Sequence, residues 1–122
     1  MQTLYHTTVT DIGELVPTFI EAGMLVFFGE GAPEELRDFC IMHQVEHQEG
    51  TIRKGDVIQI NGQEFEILAL GSVANENLMN LGHLNLKANG NSEPDLPGDV
   101  CVAQTELPEI SIGSTFRIYR RQ

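Results

Sequence analysis

Long apolar runs are missing from this chain. The longest, Met24-Leu25-Val26-Phe27-Phe28, is far shorter than the roughly 20 residues a membrane-spanning helix needs. The opening MQTLYHTT lacks the basic-then-apolar layout of a secretory signal, so a cytoplasmic location is expected. Basic residues are scarce: seven Lys and Arg stand against 18 Asp and Glu, a formal net charge of −11. A field of that sign repels nucleic acid and anionic membrane and speeds encounter with basic partners. Cysteine occurs twice, as Cys40 and Cys101, far apart and in no shared motif. Buried free thiols are expected there. No Gly-x-x-x-x-Gly-Lys-Ser/Thr loop is present, which excludes the P-loop nucleotide enzymes. No Gly-x-Ser-x-Gly elbow or His-Glu-x-x-His pair occurs either. Repeats, low-complexity tracts and long linkers are absent.

What remains is the composition of one globular domain over residues 1–122, with 41% hydrophobic and 20% charged residues. Gly and Pro punctuate short apolar runs, the pattern of many short strands. Thr3–Ile12, Met24–Phe28, Leu84–Lys87, Val100–Ala103 and Phe116–Tyr119 read as strands. Val57–Ile60 and Glu64–Leu68 flank Asn61-Gly62, a dipeptide that readily takes the positive φ of a tight hairpin turn. Pro33–Phe39 reads as a short helix opened by proline and acids, with Leu36, Phe39 and Cys40 on one face. Asn75–Leu81 reads as a second, capped by Asn75, burying Leu78 and Leu81, and stopped by Gly82. Residues 89–98 form a polar loop. The expected fold is mainly β: a small closed or partly closed barrel of about seven short strands with two short helices.

The four histidines are His6, His43, His47 and His83. His43 follows the apolar pair Ile41-Met42. On a strand it would share a face with Val45 and His47; on a helix, His47 would lie one turn away. Either way the two imidazoles could approach each other. A metal site using these two with Glu46, Glu49 or His83 is one reading, but the spacing matches no recognised ligand motif. Nucleophilic catalysis by a neutral imidazole is the other. His47, His83 and the Gly71-Ser72 turn could then stabilise a transferring phosphoryl group. Phe27, Phe28, Ile41 and Met42 could rim the histidine, although such residues also serve as plain core. His6 reads as structural.

The stretch MLVFFGEGAPEELRDFCIMH, ending in His43, resembles the active-site segment of the glucitol/sorbitol-specific enzyme IIA of the bacterial sugar phosphotransferase system. LYHTTVTDIG, GSVANENLMNLGHLNLKANG, LPGDVCVA and IGSTFRI resemble the same family, in the family's order. The resemblance implies a compact, mainly β barrel. It implies that His43 accepts a phosphoryl group from the phosphohistidine of HPr and passes it to a cysteine of IIB. The IIB and IIC parts of the sorbitol transporter then phosphorylate and import the sugar alcohol. It suggests Nε2 as the phosphorylated nitrogen, and it implies no cofactor and no metal. Contact with the membrane would come only through the transporter. His83 falls in the family-like Leu-Gly-His segment and is the candidate second active-site histidine. HPr offers a broadly basic docking surface, which gives the acidic charge a use.

This carrier reading expects His43 to be accessible; a fully buried His43 hydrogen-bonded at both nitrogens would count heavily against it. Its rivals are a non-catalytic acidic binding or regulatory module and a small metal-binding β-barrel.

Overall fold

The computed structural model describes residues 1–121. Nine strands build one sheet: β1 (Gln2–Ile12), β2 (Met24–Gly29), β3 (Ile41–Gln48), β4 (Val57–Ile60), β5 (Gln63–Glu66), β6 (Ala69–Leu70), β7 (Leu84–Lys87), β8 (Asp99–Cys101) and β9 (Thr115–Arg120). Two α-helices, α1 (Val16–Glu21) and α2 (Ala74–Leu81), and a 3-10 helix over Glu34–Phe39 complete it. The strand order is β5-β4-β9-β1-β3-β2-β7-β8-β6. The two edge strands, β5 and β6, are joined by Ile67-Leu68 alone. A two-residue link cannot span the width of a flat nine-stranded sheet, whose strands lie about 4.8 Å apart. The sheet must therefore curl until its edges approach. The expected mainly β, partly closed barrel is this curled sheet, with nine strands rather than about seven. No helix among the described residues is long and apolar enough to cross a membrane.

The main core fills the inside of the curl. Leu4, Tyr5, Val9, Leu25, Phe27, Ile41, Phe116 and Ile118 face it from the strands. Ala74 and Leu78 enter it from α2. Phe27 and Phe116 stack at its centre, ring centroids 4.3 Å apart. A smaller cluster of Phe28, Ala32, Cys40 and Met42 covers the opposite face of β2 and β3. Both cysteines are free and buried.

Local signals explain most elements. Asn61 and Gly62 take φ of 50° and 88°, closing the β4–β5 hairpin. Gly82 takes φ 64° and ends α2. Several expectations need correction. Asn75 does not cap α2. Its amide instead brackets the backbone of Ile52, accepting from the N–H at 2.8 Å and donating to the C=O at 2.9 Å. Leu81 is 50% exposed, because the left-handed turn at Gly82 begins directly after it. The segment after Pro33 winds as a 3-10 helix with Leu36 turned to solvent. Helix α1, where Pro17 enters the first turn, and the two-residue β6 were not expected.

Candidate active site

β3 pairs with β1 antiparallel and with β2 parallel. In that register His43 lies opposite Val9 on β1 and Gly29 on β2, facing the core. Its ring sits among aromatic walls, with centroids 5.6 Å from Phe27, 6.0 Å from Phe116 and 6.2 Å from Tyr5. Phe27 is thus a core wall of the site and not a rim at its mouth. His43 is 1% exposed. Both ring nitrogens are engaged: Nδ1 meets the Thr7 hydroxyl at 2.8 Å, and Nε2 meets the carbonyl oxygen of Gly82 at 2.6 Å.

The partners decide the tautomer. A carbonyl can only accept, so Nε2 carries the proton. Nδ1 then holds the lone pair and accepts from the Thr7 hydroxyl. Burial pushes the His43 pKa below its ordinary value, while the Gly82 bond and the nearby Glu30 carboxylate oppose the shift. The resting ring is a neutral imidazole, the form a nucleophile needs.

His43 is therefore not accessible in this arrangement, contrary to the carrier expectation. The cause is the turn after α2, which lays the Gly82 backbone over Nε2. That cover is thin. A Cβ on Gly82 would lie 3.0 Å from the Gly29 nitrogen and 3.2 Å from His43 Nε2. A Cβ on Gly29 would lie 2.8 Å from the carbonyl oxygen of Leu81. Two residues without side chains let the backbones of β2 and the turn close over the ring. On its other side, the Nδ1 edge lies deep in the core.

The remaining sequence candidates separate. A bulge at Glu46 shifts the β1–β3 register, so that His6 faces His47 and Thr7 faces Val45. That extra residue breaks the alternation that would have put His43 and His47 on one face. His47 lies outside, against the Thr3 carbonyl at 3.2 Å and Glu49 at 3.5 Å. It forms a cross-strand row with His6 and Arg117 around a shallow hollow of about 310 Å³. The supposed metal ligands therefore point to opposite sides of the sheet. His83 adjoins Gly82, donates from Nδ1 to the Phe27 carbonyl at 3.1 Å and packs on Phe28 at 4.7 Å. Gly71 and Ser72 precede the far end of α2, whose eight residues span about 12 Å, and so cannot reach the ring. Sequence reasoning missed Thr7. Its only signal was the alternation of β1, which places Thr7 inward beside Tyr5 and Val9.

The profile of a family described as "PTS system glucitol/sorbitol-specific IIA component" matches residues 4–117. The chain belongs to this family. It is 34% identical over 117 residues to the glucitol/sorbitol-specific EIIA components of Shigella flexneri and of Escherichia coli K12, covering 96% of this chain and 95% of each relative. The crystal structure of a PTS system IIA component from Enterococcus faecalis V583 superposes with a TM-score of 0.83 at 27% identity, over 93% of this chain and 98% of that one. As a IIA component, the chain works in the phosphotransferase system as a phosphoryl carrier.

Proposed function

We propose that this IIA component carries the phosphoryl group on Nε2 of His43. HPr is the donor, through its phosphohistidine, and a cysteine of a IIB component is the acceptor. The IIB and IIC parts of a glucitol (sorbitol) transporter use the group to phosphorylate the sugar alcohol they import. The observation that carries this reading is the asymmetry of the two ring nitrogens. Nδ1 abuts Thr7 within the aromatic core, whereas Nε2 is held by the backbone carbonyl of Gly82, in a turn packed closely on Gly29.

With His43 buried under Gly82, the site is in its closed state. Transfer requires the turn over 81–83 to swing aside, as loops that gate active sites do. The hydrogen bond from Nε2 to Gly82 is given up, together with those of the turn that cannot follow it, from Gly82 N–H to Leu78, His83 N–H to Asn77 and His83 Nδ1 to Phe27, each worth about 0.5–1.5 kcal/mol net. Leu81 is already half exposed, so its displacement uncovers little apolar surface. A state a few kcal/mol above the ground state is populated at roughly 0.1–10%, enough to supply a carrier whose donor holds the turn open. His83, next to the moving carbonyl, is the proposed second histidine, beside the gap that opens. Docking of HPr is favoured by the chain's net charge of −11.

Protein mixed with phosphoenolpyruvate, enzyme I and HPr tests this. The wild-type chain and a His47→Ala variant should both gain one acid-labile phosphoryl adduct by intact mass, and His43→Ala should gain none. An adduct that persists in His43→Ala, or moves with His47, would sink the assignment.

A further inference from the structure

His43 has two neutral tautomers, and the closed site holds the wrong one for chemistry at Nε2. With Gly82 accepting from Nε2–H, the lone pair sits on Nδ1, which points into the core. For Nε2 to attack phosphorus, the proton must reside on Nδ1. The group beside Nδ1 must then accept a hydrogen bond where before it donated one. A backbone carbonyl could not donate in the closed state, and a backbone N–H could not accept in the open one. A hydroxyl can do both. Thr7 supplies one at 2.8 Å, on a residue with no exposed surface.

We propose that Thr7 is the tautomer switch of His43. In the closed site its O–H donates to Nδ1. When the Gly82 carbonyl withdraws, the Thr7 oxygen accepts Nδ1–H and presents Nε2 with its lone pair outward. This rests on the reading of His43 as the phosphoryl acceptor, and it names a positioning residue for that reaction.

The balance is simple. Opening frees the ring from the carbonyl so that it can shift and exchange protons with water at both edges: one proton leaves Nε2 and one arrives at Nδ1, with no net change. The Nε2–P bond then forms as the donor N–P bond breaks, and the donor imidazole keeps the electron pair. The Nδ1 proton stays on its nitrogen throughout, held by Thr7. Passing the group on to a thiolate reverses the same step: the sulfur–phosphorus bond forms and Nε2 recovers its lone pair. Once the carbonyl returns, Nε2–H and the Thr7 donor bond are restored.

The fold makes this role specific. Thr7 is placed by β1, whose register sets Val9 opposite His43 and Phe116 opposite Thr7. The bulge at Glu46 skips one residue of β3 between the partners of His6 and Thr7. It leaves His43 and Thr7 on the inner face while His6 and His47 face out. A β-branched threonine also suits the strand, so valine is a close substitute in shape that lacks only the hydroxyl.

The test uses Thr7→Val and Thr7→Ser in full-length protein. Long-range proton–nitrogen NMR of ¹⁵N-histidine-labelled protein reads the tautomer of His43 directly, before and after phosphorylation. Wild type and Thr7→Ser should show the Nε2–H form at rest and the Nδ1–H form when phosphorylated. Thr7→Val should accept the phosphoryl group about ten- to a hundredfold more slowly, the range found for partners that orient metal-bound imidazoles. Its half-saturation by HPr should be little changed, and serine should restore most of the rate. A Thr7→Val protein that is folded by NMR and transfers at the wild-type rate would overturn the inference while leaving His43 as acceptor. Absence of any adduct on His43 in the wild type would instead overturn the acceptor reading itself.

Discussion

His43 is where residue-scale physics is sharpest. Desolvation holds its pKa below the ordinary value of 6.5, against the Gly82 bond and Glu30. The unfolded chain then binds more protons than the folded one between that lowered value and about 6.5. Stability contributed by the neutral ring is present above about 6.5 and is lost as pH falls to the folded pKa, below which it stays constant. Thermal melts across this window should show wild type losing stability more steeply with falling pH than His43→Gln. Parallel curves would contradict the burial argument. Tyr5 behaves differently. Among the described residues its hydroxyl finds no hydrogen-bond partner, and burial pushes its pKa up to about 12. An unsatisfied buried polar group costs about 1–3 kcal/mol. Tyr5→Phe should therefore fold at least as stably as wild type, and a large drop in Tm would reveal a partner for that hydroxyl. At this scale the choice of His43 as candidate rested on its flanking segment. Its burial was not legible there, because exposure depends on a turn some forty residues away in sequence.

At the scale of elements, the turn after α2 is the part on which the proposed transfer depends. Gly82 takes φ 64°, a region that disfavours residues with a Cβ, and a Cβ there would crowd the Gly29 nitrogen and the His43 ring. Gly82→Ala should cost about 1–2 kcal/mol on backbone grounds, with some further cost from crowding. It should also speed phosphoryl acceptance, since a cover that seats poorly leaves His43 open for more of the time. Denaturant unfolding and the transfer assay read the two effects; an alanine variant with unchanged stability would show that the turn is not held as described. The hairpin at Asn61-Gly62 and the stop at Gly82 could be read from sequence because each rests on a local backbone requirement. Other features could not. Helix α1 is six residues long and carries little periodicity. The strand β6 is only two residues and is defined by its partner β8. The Glu46 bulge arises from pairing with β1, and no window of β3 alone contains that information. It was this bulge that separated His43 from His47.

For the whole molecule, closure and charge matter most. The link Ile67-Leu68 between the edge strands makes the curl a consequence of connectivity. The last strand is fastened by Arg120, whose guanidinium donates to both oxygens of the buried Asp56 at 2.9 Å. Two further cations, Lys87 and Arg121, are committed to internal ion pairs with Asp99, Glu64 and Glu66. The acidic excess is therefore left to act on partners. Transfer from phospho-HPr should slow as salt rises from low to physiological strength, with most of the effect on the encounter rate. A salt-independent rate would remove electrostatic steering from the account. Composition showed this charge directly, and the ordered family-like segments showed the fold class. The strand count and the closure needed the pairing partners.

The central claim is that a closed, core-facing histidine becomes a phosphohistidine through its Nε2 edge. The most direct test is NMR of the phosphorylated, ¹⁵N-histidine-labelled protein, reading which nitrogen is coupled to phosphorus. Coupling at Nε2 of His43, with Nδ1 still protonated, is the predicted result. Phosphorus on Nδ1, or on any other histidine, would contradict the account.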